Sequence, residues 1–206
     1  IDRIITDDGF VIDHYYFDQT DEYVLLDYLG KEKNVIVPQG VTEIGFVFSN
    51  CDFIENIVLP DSIRKIYAEG LYGTAFYQNE KNWENGALYI GNNLIKVKKD
   101  VKEFVLKPGT KVIAISAFED CYQLTDLTVS GDYFETFQEL SNLETICLEK
   151  LPSCIRNYFG VVPITLKNVI IKKGCKITTE TENLFYGISG VTVFVEDEKI
   201  DCAWNE

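Results

Sequence analysis

The chain has 206 residues, enough for one large domain or one array of repeats with a continuous core. With 46% hydrophobic and 25% charged residues it is not a disordered chain. A net charge of -14 argues against a nucleic-acid partner, because phosphate binding rests on Lys and Arg displacing counterions.

No apolar run approaches the roughly 20 residues that a membrane-spanning helix needs, so no transmembrane segment is expected. The chain begins at Ile1 and contains no Met, so its natural start is expected upstream, together with any export signal. Residues 1–34 follow no repeat. A turn at Asp7-Asp8-Gly9, the runs GFVIDHYYFD and YVLLDYLG, and a polar stretch from Gln19 to Glu22 predict a short meander of strands. A stacked array exposes core and strand edges at its open end, so this segment is expected to cap the array.

From Val35 a period emerges. The first inward residues of the predicted strands are Val35, Ile57, Phe104, Leu127, Ile146, Val169 and Val191, at intervals of 22, 47, 23, 19, 23 and 22 residues. Five intervals share one period and the sixth is about twice it, which lies within the range of leucine-rich repeats. In IAISAFEDCYQLTDLTV, from Ile113 to Val129, apolar residues fall at Phe118, Cys121, Leu124 and Leu127 and then step by two. A period near three that gives way to two predicts a short helical turn running into a strand. Such a unit is too small to bury its own apolar side and must stack on copies of itself.

These phrases carry a family resemblance. VPQGVTEIGFVFSNCDFIENIVLPDSIRKI and ISAFEDCYQLTDLTV resemble the BspA-like leucine-rich repeats of bacterial surface proteins. The pattern falls on Pro38, Val41, Ile44, Gly45, Phe48 and Cys51, and again on Pro108, Ile113, Ala117, Phe118, Cys121, Leu124 and Leu127. The first unit is one residue short between Ile44 and Phe48, and the units after Ser130 keep the strand period without the A-F-x-x-C signature. The implied fold is α/β: a leucine-rich-repeat solenoid at 35–195, a right-handed β/α superhelix rich in strand, with short helical turns on its convex side. The doubled interval holds an insertion at about 72–99, where ALYIGNNLIKV predicts a β-hairpin turning at Gly91-Asn92-Asn93. Residues 196–206 break the period and are expected to be a polar end or a truncated cap.

Chemistry-bearing residues are scattered. Six cysteines form no C-x-x-C pair and His14 is the only histidine, which argues against a zinc site. Cys51 and Cys121 share a repeat position and are expected to be buried small hydrophobes. Cys154 and Cys175 follow strands of adjacent units at similar offsets, so a disulfide and two free thiols both stay open. His14 lies in the cap, away from most cysteines, which argues against nucleophilic catalysis. Carboxylate pairs such as Glu180 and Glu182 are expected to be solvated. Asp7-Asp8-Gly9 and Glu196-Asp197-Glu198 lack the alternating ligand spacing of a calcium loop. The chain is therefore expected to be no enzyme and to need no cofactor or metal.

Binding is the remaining expectation. Alternate strand residues face outward. One outward column reads Asn34, Asn56, Glu103, Asp126, Thr145, Asn168 and Gly190; the next reads Ile36, Val58, Val105, Thr128, Cys147, Ile170 and Thr192. Ile36, Asn56, Val58, Val105, Asp126, Thr128, Asn168 and Ile170 are the candidate face for a protein partner, with preference of β-branched residues for strands as the plainer explanation. Tyr77, Trp83 and Tyr89 around the insertion are a candidate stacking platform for a glycan or a hot spot for a protein, or simply pack the insertion on the solenoid. The family resemblance implies a location outside the cell or on its surface and adhesion to host or neighbouring-cell proteins. The alternative is a glycan-binding or spacer segment of a larger wall protein.

Overall fold

The structure, a computed structural model, describes residues 1–131, 137–151, 158–172, 174–175, 188–195 and 198–200. In chain order the strands are β1 (Asp2–Ile5), β2 (Phe10–Phe17), β3 (Thr20–Tyr28), β4 (Asn34–Ile36), β5 (Glu43–Ile44), β6 (Asn56–Val58), β7 (Lys65–Ile66), β8 (Trp83–Glu84), β9 (Ala87–Ile90), β10 (Asn93–Val97), β11 (Glu103–Val105), β12 (Val112–Ile113), β13 (Asp126–Val129), β14 (Thr145–Leu148), β15 (Asn168–Ile171), β16 (Thr192–Val195) and β17 (Glu198–Ile200). They build a strand-rich β-solenoid of about seven turns with very little helix. Two compact units divide the chain: Ile1–Lys96 with Lys111–Ala117, and Val97–Thr110 with Phe118–Glu206.

In the first unit β1, β2 and β3 are antiparallel neighbours. The turn at Asp7-Asp8-Gly9 joins β1 to β2, with Gly9 at φ +88°. A side chain there would meet the backbone of Gly30. Asp18 and Gln19, both at positive φ, make the two-residue turn whose twist suits a hairpin. Phe17 thereby sits opposite Thr20, so β3 begins inside the polar stretch from Gln19 to Glu22.

Asp13 on β2 is buried, and Arg3 donates to both of its carboxylate oxygens at 2.7 and 2.9 Å. Those bonds hold the Asp13 carboxyl below its ordinary range. A depressed carboxyl contributes stability that is complete above its unfolded value, about 3.9, and is lost as pH falls through the folded one. Circular dichroism in acid should therefore show the meander loosening below about pH 4, with Arg3→Ala moving the onset to higher pH. An onset that Arg3→Ala leaves in place would remove this pair as the cause.

In the first unit a solenoid turn contributes two strands, where the sequence pattern showed one. β4 and β6 pair in parallel, Val35 opposite Ile57. A second series of two-residue strands, β5 and β7, extends the sheet of β3 in parallel, Ile44 opposite Ile66. A forked bond joins successive turns. The Lys33 carbonyl accepts the amides of Glu55 and Asn56, and the Thr42 carbonyl those of Arg64 and Lys65. Backbone groups that a two-residue strand would otherwise leave unpaired are thus satisfied. Beyond them β8, β9, β10 and β12 form a sheet in the order β12-β10-β9-β8. Besides the turn at Gly91 it contains a second one at Asn85-Gly86, both at positive φ, the strongest short hairpin signal in the chain.

The second unit is one sheet, β11-β13-β14-β15-β16-β17. It is parallel as far as β16, with β17 antiparallel at its edge. Phe104, Leu127, Ile146 and Val169 stand in register, and the next residue in line is Val193. The expected anchor Val191 is two residues early. The forked bond recurs at the carbonyls of Lys102, Thr125 and Glu144.

Between strands, the turns expected to be helical are not helix. Among the described residues helix amounts to α1 (Ala75–Gln78), short 3₁₀ segments at Ala68–Leu71 and Glu80–Asn82, and a 3₁₀ residue at Tyr158. The chain instead closes a turn every three residues. Cys121 N–H donates to Phe118 C=O and Leu124 N–H to Cys121 C=O, each at 3.1 Å. Cys51 to Phe48, Ile54 to Cys51, Leu140 to Phe137 and Leu143 to Leu140 repeat the arrangement. An α-helix advances 3.6 residues per turn, so a strict three-residue repeat would drift by about 60° at each step. Linked turns keep Phe118, Cys121 and Leu124 all inward, and all three are buried. The unit with Phe137, Leu140 and Leu143 takes this shape with Leu in place of Cys, so the geometry outlasts the A-F-x-x-C signature.

Candidate functional site

In the first unit the inward residues Val35 and Ile57 are buried, while Ile36 and Val58, opposite one another on β4 and β6, are 68% and 55% exposed. An open apolar strip therefore runs across two strands. Polar groups border it and pair along the stack: Asn56 Nδ2 donates to Asn34 Oδ1 at 2.7 Å, and Lys33 Nζ lies 2.6 Å from Glu55 Oε1. The strip gains no hydrogen bonds from its neighbours, so its chemistry is contact area alone.

The second unit carries the corresponding positions on one sheet. Val105 is 62% exposed, whereas Asp126, Thr128, Asn168 and Ile170 are half-buried. Cys147, between Thr128 and Ile170 in register, is buried, so the apolar column is interrupted there. At its end the register places Phe194 beside Ile170, and Thr192 joins the polar column with Asn168. Asp126 Oδ2 accepts the Thr125 hydroxyl at 2.7 Å, and Asn168 Nδ2 reaches Thr145 Oγ1 at 3.4 Å.

A second apolar strip was not expected. Phe46, Tyr67 and Ile115 follow the two-residue strands of the first unit. Phe46 is 62% and Ile115 43% exposed; the Phe46 and Tyr67 rings lie 5.4 Å apart, and Tyr67 bridges Ile115 in parallel. Lys65 stands over the Tyr67 ring at 4.9 Å and contacts Glu43 at 3.3 Å. The signal was present, since each follows an inward isoleucine, Ile44, Ile66 or Ile113. It does so by one residue in one case and two in the others, so no fixed period displays it.

Around the insertion, Tyr77 and Trp83 meet edge to face at 5.2 Å, and Tyr72, absent from the expected set, joins Tyr77 at 4.8 Å. Trp83 Nε1 donates to the Tyr77 carbonyl at 2.9 Å. Tyr89 lies on β9, next to Leu88, the residue opposite Trp83. Tyr77, Trp83 and Tyr89 are all half-buried.

The thiols are set for packing. Cys51, Cys121 and Cys147 are buried, and Cys175 is half-buried. Cys121 Sγ turns to the carbonyl of Val97 at 3.6 Å. Burial pushes the thiols of Cys51, Cys147 and Cys175 up, away from the reactive thiolate. Cys154, the suggested partner of Cys175, lies outside the described residues, as do Glu180, Glu182, Glu196 and Asp197. His14 stacks on Tyr23 at 4.5 Å and bonds Asp21 at 2.7 Å. Among the described residues no helix is long and apolar enough to cross a membrane.

Comparison with known proteins adds a family. The BspA type leucine rich repeat region matches residues 27–135 in six copies, more than half of the chain. No curated protein matches. A solved structure, a leucine rich cell surface protein from Faecalibacterium prausnitzii, is 17% identical over 96% of this chain, with a TM-score of 0.32. The chain spans 52% of that protein's length.

Proposed function

Because the chain belongs to the BspA-type leucine-rich-repeat family, we propose that it is a non-enzymatic protein-binding module of a bacterial cell surface, acting in adhesion through its exposed strand faces. The observation that carries this reading is the open strip of Ile36 and Val58, continued in kind by Val105 on the other unit. Side chains of this size, bare to water and unneeded by the core, are what a protein partner buries. The acidic chain favours a partner with a basic rim.

The test is a binding panel of immobilised extracellular matrix proteins and glycans. Val58→Glu with Val105→Glu should weaken the protein signal at least tenfold, while the melting temperature stays within a degree or two, since both sites are exposed. Unchanged affinity excludes the exposed strand faces of both units. A signal on glycans alone would move the function to the cluster of Tyr72, Tyr77 and Trp83, whose rings already stand together.

A further inference from the structure

Among the described residues of the first unit, one edge of β6 carries no strand. Within the first unit β6 is paired with β4 alone. Asn56 N–H donates to Lys33 C=O, and Val58 C=O accepts from Val37 N–H, both at 3.0 Å. The residues on either side of Ile57 thus turn their backbone groups toward β4. Alternate residues of a parallel strand address opposite edges, which leaves Ile57 N–H and C=O on the far side. Ile57 buries its side chain, so what it offers beyond β6 is backbone.

A cleft of about 320 Å³ lies against that edge. Val58, Leu59 and Pro60 form one wall; Ile90 and Asn92 of the hairpin form the other. The exposed pair Lys111–Asp61, 3.0 Å apart, stands on its rim. The repeat spacing doubles after Ile57, from 22 to 47 residues, so the chain passes over one strand position in sequence where β6 has no partner.

We propose that this cleft binds an extended peptide as an added parallel strand on β6. The peptide supplies N–H and C=O to Ile57 from alternate residues and lays an apolar side chain against Val58 and Pro60. Two walls favour a single chain over the edge of a second folded copy, and the net charge of -14 favours a basic peptide. This goes beyond the adhesive face: the two share Val58, but only the edge uses the backbone of Ile57.

The probe is a fluorescein-labelled peptide of this chain's own strand sequence, Lys102 to Lys107 (KEFVLK), which has a net charge of +1. It is titrated into the full chain by anisotropy. Saturable binding is expected. N-methylation at the positions of Glu103 and Val105 should weaken it at least tenfold, and N-methylation at Phe104 and Leu106 should leave it nearly unchanged, as bonds from alternate residues require. Hydrogen exchange at the Ile57 amide should slow when the peptide binds. No binding, equal sensitivity of both methylated series, or an unaltered Ile57 amide overturns the proposal. Self-association of the chain that the peptide competes away gives the cleft to a second copy and also overturns it. Ile36→Asp, outside the cleft wall, should bind the peptide normally whether or not the adhesive face is real, so the two readings fail separately.

Discussion

Phe118→Ala lowers stability by about 3–5 kcal/mol, the usual cost of emptying an aromatic core site. Phe118 is 1% exposed and its ring is the middle of a column in the second unit. Phe104 meets it at 5.9 Å and Phe137 at 5.5 Å, both edge to face, and Tyr158 continues from Phe137 at 5.5 Å. Each edge-to-face pair adds about 0.5–1.5 kcal/mol beyond area burial, so the truncation removes packing on both sides at once. The neighbouring turns are fixed by forked backbone bonds and cannot close the gap. Chemical denaturation followed by fluorescence, with hydrogen exchange at Leu127 and Ile146, reads the loss. Phe118→Leu, which keeps most of the volume, should cost about 1.5 kcal/mol or less. A Phe118→Ala loss below about 1 kcal/mol would contradict the packing described here.

The second large effect is at Gly70. An added Cβ there would overlap the Gly45 carbonyl oxygen and come within 3.0 Å of the Phe46 Cα, and both are backbone atoms. Gly73 stands in the same relation to the Ser49 carbonyl. Nothing flexible can move aside, so Gly70→Ala should cost about 1–3 kcal/mol or more through overpacking. A lower melting temperature should appear in the first unit, with faster exchange at the amides of Tyr67 and Ile115. Gly45→Ala is the control: no atom lies within 4 Å of its added Cβ, and its effect should stay within about 0.5 kcal/mol. Equal effects at Gly45 and Gly70 would show that the contact with the Gly45 carbonyl does not set the cost, because the lost freedom of the unfolded chain acts in the stabilising direction. The repeat tolerates Ala at the equivalent position, Ala117, so the requirement belongs to this turn and not to the motif.

The longer strands were legible because their alternation and spacing are written in side chains. Val35 and Ile57 in the first unit, and Phe104, Leu127, Ile146 and Val169 in the second, read correctly as inward residues in register within each unit. The last step failed at Val191 against Val193, and the cause is physical. Both are apolar and both are buried, and a slide of two residues keeps every side chain on its face. The two-residue strands at Ile44, Ile66 and Ile113 were missed because alternation needs more length than they have. The expected helical turns were a misreading of period three, which linked turns satisfy and an α-helix does not. The candidate face was legible as a column of residue types, but not as a degree of exposure. Nothing in Cys147 or Val105 themselves separates a buried member from a bare one.

The forked bonds at Lys33, Lys102, Thr125 and Glu144 bear on what happens under load. Each carbonyl holds two amides of the following turn, so the fastenings lie between consecutive turns and can be released in succession. One turn of about 22 residues, once freed, extends to on the order of 75 Å. Turns still closed keep their register, because each rests on its neighbour. A chain pulled from one end would lengthen in increments and take up slack, where a single cooperative core would hold and then give way at once.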